Sequence, residues 1–468
     1  MDNRRIEWTR VEPRHRAARA IVLTEAAAGD AAPMQAVVAK ATPLEAALAA
    51  VGLPSVGGAA SPKEDAVGLL MLAAEVEHAL MAQYLYAAQS LRGAAGRTIA
   101  RVAIQEMGHL VTVQNLLLLL NGLTAEGLPA KLHFGRDGLR RNGARNPLPL
   151  VFEPVSRMAL AKFVVVERPG RIDDPALAAR IANLEAELDA AGVSPNPVFA
   201  LYAAIHWLFQ PDDTPSESGS VAMGFAAGWH LRDADFVDPN TIVDHAAEPL
   251  EWGAVPGLIV APVRDRTGAL TALKDIAAQG EGLFGTAESH FRNFLDLLTQ
   301  FEAHPPVVAG LPRTPYVPSQ PLPEDPQATP LVNRYTVLWA ELFNCSYELL
   351  IIDLAWALSQ PRGAARTALV DSCIETMSHL IKSLSGYLAK RPRGADPVEI
   401  AGPTYGLSDT ALPITRADYK ARYAVLLADS TRLVDAVRAD PEFQDDFAGE
   451  QILKSISEIE NQRRPYLP

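Results

Sequence analysis

Glu77, Glu106 and His109 are the residues of this chain best suited to chemistry. Glu77 sits in the run Glu75-Val-Glu77-His-Ala-Leu-Met-Ala-Gln-Tyr84-Leu-Tyr, and the other two in Gln105-Glu106-Met-Gly-His109-Leu. Both runs are otherwise apolar, and a carboxylate in such a setting is costly unless paired, hydrogen-bonded or metal-bound. Glu106 and His109 are three apart, so they are neighbours on one helical face. Carboxylates mixed with imidazole suit iron, manganese or zinc, whereas magnesium and calcium favour oxygen alone. A four-helix bundle that holds two metals takes one Glu from each of two helices and Glu-x-x-His from each of the other two. This stretch supplies half of that pattern. The bland alternative is a surface pair, Glu75 and Glu77, with a chance Glu-x-x-His. The apolar flanks and Gln83-Tyr84-Leu85 weigh against it.

Two helices must position these residues. Leu70, Ala74, Glu77, Met81, Tyr84 and Ala88 recur at one-face helical spacing, and residues 64–121 contain no proline. Gly93 to Gly96 mark the turn between the helices, and Asn121-Gly122 ends the second after the buried run Leu116 to Leu120. Ser61-Pro62-Lys63-Glu64 begins the first, with Ser at the cap and Pro in the first turn. Tyr84, two turns beyond Glu77 on the same face, is placed to hydrogen-bond a ligand or a bound oxygen species.

The phrases Glu-His-Ala-Leu-Met-Ala-Gln-Tyr-Leu-Tyr-Ala (77–87) and Gln-Glu-Met-Gly-His-Leu (105–110) resemble the ferritin-like domain family related to iminophenyl-pyruvate dimer synthase. The Glu77-to-Tyr84 spacing is also similar to the first helix of manganese catalases. Further points of likeness are Pro-Leu-Val-Phe-Glu-Pro, Phe-Val-Val-Val-Glu-Arg-Pro, Gln-Gly-Glu-Gly followed by Ser-His-Phe, and Ala401-Gly-Pro-Thr-Tyr-Gly-Leu. Together they span most of residues 64–407. The resemblance implies a non-haem dimetal site holding two iron ions, with manganese as the alternative. Its substrate would be small, an amino-acid-derived imine or another secondary metabolite, with dioxygen or peroxide as co-substrate.

Glu281 and His290 are the expected second half of the site. A glycine-flanked Glu can reach inward from a helix end, and His290 opens the next helix. Glu288 and His290 are two apart, point to different faces and do not imitate Glu-x-x-His. In the apolar helix 196–209, relatives carry an acid where this chain has Ala200 and Ala203. That leaves Tyr202 as a cavity residue and His206 as a core or rim histidine. Glu153 and Glu167 read as structural caps or pairs. Tyr84 and Tyr202 are the expected catalytic side chains around the metals.

The chain has 468 residues, too many for one ordinary core. Its apolar share of 49% and charged share of 21% fit a folded protein. A net charge of -13 argues against nucleic acid or an anionic membrane as the main partner. Two cysteines give no disulfide framework, and the arginine-rich start has no apolar leader core, so a cytoplasmic location is expected. A homo-oligomer fits equally well.

The expected fold is all-α. Residues 1–60 form a lead-in with a short helix over Pro43 to Val51. Residues 61–303 form a ferritin-like four-helix bundle with a long irregular insertion, in which Leu148 to Glu153 and Phe163 to Val166 read as short strands. Residues 304–330 contain nine prolines and read as an extended linker over the surface. Residues 331–468 form a C-terminal helical segment. There Glu341, Glu375 and His379 faintly echo the first motif, and packing is the default reading of that pair. Two other function classes stay open: peroxide disproportionation of the manganese-catalase kind, and a non-enzymatic helical protein with a degenerate site.

Overall fold

The computed structural model describes residues 6–9, 51–136, 150–193, 195–211, 228–281, 289–408 and 412–468, with the backbone alone at Thr9 and Glu281. Helix α1, Pro62–Gln89, starts where the sequence predicts: Ser61 Oγ accepts the Glu64 amide at 3.2 Å, and Pro62 occupies the first turn. Helix α2, Ala94–Asn121, follows Gly93 and ends at Gly122, both at positive φ that favours glycine. The Gly122 amide closes the last turn on the Leu118 carbonyl at 2.8 Å. A tight turn makes α1 and α2 an antiparallel hairpin, packed along their length through Leu, Ala and Val.

The other side of the bundle is built from broken helices. Helix α3, Arg157–Val166, covers the stretch expected to be a strand at Phe163 to Val166. Ser156 Oγ caps it by accepting the Ala159 amide at 3.0 Å, and residues 159–166 are all buried. Capping and burial outweigh the β-preference of three consecutive valines. Residues 150–153 of the other expected strand are irregular. The chain then leaves the bundle through α4, Pro175–Ala190, and returns as α5, Phe199–Phe209. The two ends meet, the Val198 amide donating to the Val166 carbonyl at 3.0 Å. Helix α6, Arg266–Ile276, runs into a π-helical turn, Ala277–Glu281, and α7, His290–Ala303, completes the bundle against α3 and α2.

Residues 304–330 are extended, as expected from their prolines, and they are tied down. Leu311 and Val317 are buried, and the Ala309 and Thr314 amides donate to the Ser90 and Phe152 carbonyls at 2.8 and 2.7 Å. Pro315–Tyr316 pairs with Thr329–Pro330. In the lead-in, Ile6–Thr9 pairs antiparallel with Leu53–Val56, while the helix expected from Pro43 lies outside the described residues up to Val51.

The C-terminal layer centres on α8, Arg334–Ser359, which is long and apolar enough to cross a membrane but has 89% of its apolar window buried inside the fold. Around it lie α9, Ala364–Glu375, α10, Lys382–Leu388, α11, Arg416–Ala439, and α12, Phe447–Arg463. Asp353 of α8 is fully buried. It accepts from Arg463 Nη1 at 2.5 Å and from the Tyr423 hydroxyl at 2.8 Å, so removing either partner leaves a buried charge unmatched. Glu341, Glu375 and His379 do not gather: Glu341 accepts from Ser319 Oγ at 2.7 Å, and His379 is exposed.

Polar contacts of buried side chains join this layer to the bundle and its insertion. Arg366 is buried, donating from Nη2 to Glu251 at 2.9 Å and from Nη1 to the His245 carbonyl at 2.8 Å. Arg136 donates to the Tyr405 carbonyl at 2.5 Å. His78 of α1 donates from Nδ1 to the Phe134 carbonyl at 2.8 Å and accepts the Tyr347 hydroxyl at Nε2, 2.5 Å away.

Those two bonds require neutral His78, and burial, with the Arg136 charge second, pushes its pKa down to about 3. A histidine whose folded pKa is depressed stabilises the fold above its unfolded pKa, and that stability is lost as pH falls toward the folded value. Metal-free protein should therefore lose about 2 kcal/mol between pH 6.5 and 5 through this one residue. His78→Gln should start less stable yet flatten the acid limb by that amount in urea midpoints. Parallel pH profiles for the two proteins would remove His78 from this role.

Candidate metal centre

The centre lies where the bundle helices are interrupted. Glu77 comes from the middle of α1, and Glu106 and His109 from one turn of α2. Glu167 is the residue just after α3, and His290 is the first residue of α7, held there by Ser289, whose Oγ accepts the Arg292 amide at 3.3 Å. All five side chains are buried, the three carboxylates completely. Among the described residues, two groups could share an ion: Glu77 with Glu106 and His109, and Glu106 with Glu167 and His290.

Glu106 stands between the groups. Its Oε2 is 2.9 Å from His109 Nδ1, and its Oε1 is 3.0 Å from His290 Nδ1. His109 Nδ1 is also 3.4 Å from Glu77 Oε2, and His290 Nδ1 is 3.7 Å from Glu167 Oε2. The two imidazole rings lie 5.5 Å apart, centre to centre. Burial, and then the neighbouring Glu167 charge, push the Glu106 pKa well above the usual carboxylate range.

The outward-facing atoms are held by neighbouring side chains. His109 Nε2 meets Gln279 Oε1 at 3.0 Å, and His290 Nε2 meets Gln105 Oε1 at 3.2 Å. Each glutamine oxygen takes the Nε2 proton, which leaves Nδ1 turned toward the carboxylates. The Tyr84 hydroxyl donates to Glu167 Oε1, and the Tyr202 hydroxyl to Glu77 Oε1. The inward-facing atoms Glu77 Oε2, Glu106 Oε1, Glu167 Oε2 and His290 Nδ1 have no hydrogen-bond partner. Orphaned acceptors in two adjoining groups that share Glu106 fit bound cations. The donor set, oxygen and imidazole nitrogen without thiolate, fits iron or manganese.

Glu77, Glu106, His109, His290, Tyr84 and Tyr202 are thus brought together in one buried cluster. Glu281 is not testable at the side chain, which lies outside the described residues. His206 stays out of both groups: it accepts from Gln210 Nε2 at 3.2 Å, and burial lowers its pKa to about 4. Glu167, read from the sequence as a structural cap or pair, ends α3 and accepts from the Tyr84 hydroxyl, and it also joins the second of the two groups that could share an ion. Glu153 does pair structurally, with Lys162 and with Arg313 Nη1 at 3.1 Å. The signal for the placing of Glu167 was its position four residues after Phe163, just past the largely apolar run Arg157–Val166, which becomes visible once that run is read as a helix.

Gly280 makes the second group possible. A Cβ there would collide with His290 Nδ1 and come within 3.0 Å of Glu167 Oε2. The π-helical turn sets Gly280 against His290 and carries Gln279 to His109; such turns recur at functional sites. Gly280→Ala should displace His290, lower the urea-unfolding free energy by about 1–3 kcal/mol, and reduce iron retained after desalting by about one ion per chain. Unchanged iron content would show that the close approach does not position the imidazole.

No curated protein and no solved structure matches the chain. A family model described as ferritin-like matches residues 70–299, which hold every side chain of the centre. That match stops at the ferritin-like level and does not single out the iminophenyl-pyruvate dimer synthase branch. The fold is all-α, and residues 70–299 form a ferritin-like domain.

Proposed function

We propose that this protein is a non-haem dimetal oxidoreductase, with iron as the metal, acting with dioxygen or peroxide on a small, amino-acid-derived metabolite. The observation that carries the reading is the set of four buried atoms without hydrogen-bond partners, on Glu77, Glu106, Glu167 and His290, in two adjoining groups that share Glu106. Glu77 and His109 would hold one ion and Glu167 and His290 the other, with Glu106 shared between them. Glu281 is the expected sixth ligand. The substrate class rests on the motif resemblance at residues 77–87 and 105–110.

When bound, the metal pair supplies redox electrons and Lewis acidity. The chain's own residues do the rest. Tyr84 and Tyr202 orient one oxygen of Glu167 and of Glu77, so that the other oxygen faces inward. Gln105 and Gln279 fix both imidazoles with Nδ1 inward. Tyr84, Phe163 and Phe294 wall the site with aromatic carbon and keep water from reactive species.

Iron loaded anaerobically should bind at two ions per chain in wild type and at no more than one in Glu167→Ala. Loaded wild type should then consume dioxygen at least tenfold faster than Glu167→Ala plus the same total iron. Tyr84→Phe should change that rate while keeping two irons. A wild type no faster than the ligand variant would end the oxidase reading and favour a non-enzymatic metal site. Rapid peroxide turnover by the manganese-loaded protein alone would favour the catalase-like reading.

A further inference from the structure

An apolar cavity of about 90 Å³ lies inside one end of the bundle, lined by Leu91, Ile99, Val155, Leu160 and Leu297. It opens to solvent beside Gln300 and His304, which are exposed. Helices α2, α3 and α7 each contribute at the same height, and Leu91 closes the cavity from the turn after α1. Ile99 to Glu106, Leu160 to Glu167 and His290 to Leu297 are each two helical turns, about 10 Å along the axis. The directions agree: α2 and α3 run from the cavity toward the metal centre, and α7 runs from the centre toward the cavity.

One layer of side chains separates the two. Tyr84, Phe163 and Phe294 pack ring on ring, with centroids 4.8, 4.7 and 5.2 Å apart, and all three are buried. The Tyr84 hydroxyl is the one that donates to Glu167. Phe163 and Phe294 each lie one helical turn from a lining residue, Leu160 and Leu297, on the side toward Glu167 and His290. Away from its mouth the lining is apolar and offers water few polar partners. It suits a small apolar gas, which partitions from water into hydrocarbon surroundings. The packed trio admits nothing bulky without rearrangement, so the metabolite must reach the centre by another way.

We propose that this cavity is a binding site for a diatomic apolar gas and, resting on the dioxygen reading above, that it stages dioxygen one aromatic layer from the metal centre. The gas-binding half is tested with xenon on the intact chain, with or without metal. Crystals pressurised with xenon should show one bound atom between Leu160 and Leu297, and Ala95→Leu, whose added carbons enter the cavity from its rim, should abolish it. Ordered water in the cavity, or no xenon there in wild type, overturns the proposal. The staging half is tested by the dioxygen dependence of uptake. Ala95→Leu should raise KM for dioxygen about tenfold while leaving kcat at saturating dioxygen and iron content unchanged. Leu297→Phe, filling the cavity from α7, should do the same, so that a folding defect in either variant does not decide the matter. Loss of xenon with an unchanged KM overturns staging. Xenon binding in a wild type that takes up iron but no dioxygen sinks the oxidase reading and staging together, and leaves the gas site standing.

Discussion

Among the described residues three carboxylates, on Glu77, Glu106 and Glu167, meet fully buried, with two imidazoles and two phenol hydroxyls facing them. Like charges this close and this dry cannot all be ionised without a cation. The raised Glu106 pKa expresses that conflict: without metal, the fold holds a proton where it would otherwise hold an ion. Since a carboxylate with a raised pKa stabilises the fold at low pH and loses that effect as pH rises, metal-free protein is weakened at neutral pH by its own centre. The sequence accepts this because the rest of the bundle is densely apolar. Hydrophobic burial on α1 and α2 sets the backbone first, and the polar groups are carried to where the helices place them.

The same constraint explains why two of the bundle's sides are broken. A straight third helix would carry its acid on the helix interior, as Ala200 or Ala203 would if they were acids. Here the chain stops α3 at Glu167, makes an excursion through α4, and restarts at Val198 with a backbone bond to Val166. On the fourth side a π-helical turn and Gly280 let the chain pass within contact of His290. Each break places a member of the cluster, Glu167 or His290, at a helix end rather than on a helix face, so neither keeps a regular spacing.

That is also why the sequence was legible on one side only. Glu77, Glu106 and His109 lie on uninterrupted helices, where period and capping predict direction, and the predicted Ser61 cap and Gly122 stop are where they should be. His290 was singled out through the resemblance of Gln-Gly-Glu-Gly and Ser-His-Phe, and Ser289 caps the helix that it opens. The place of Glu167 beside the cluster was hidden because three valines in a row look like a strand, and only the tertiary burial of α3 decides otherwise. The tie between residues 304–330 and the bundle was equally hidden. Prolines predict an extended chain, but not which carbonyls it will meet. The contacts between the two helical layers depend on side chains far apart in sequence, such as His78 with Tyr347, and no local pattern announces them.

The C-terminal layer bears on the centre through the orientation of α1. Glu75, Glu77 and His78 sit on one turn and point three ways. Glu75 accepts from His133 Nε2 at 2.7 Å, Glu77 faces the carboxylate cluster, and His78 reaches Tyr347 on α8. A helix buried nearly all round has no solvent face to fix its rotation, and apolar packing alone is tolerant of small turns about the axis. Directional bonds on opposite sides remove that freedom. Rotating α1 enough to swing Glu77 off His109 would break the bond at His78 and strand a buried imidazole between the layers. The second helical layer, which contributes no side chain to the centre among the described residues, thereby holds the first ligand of the centre in register.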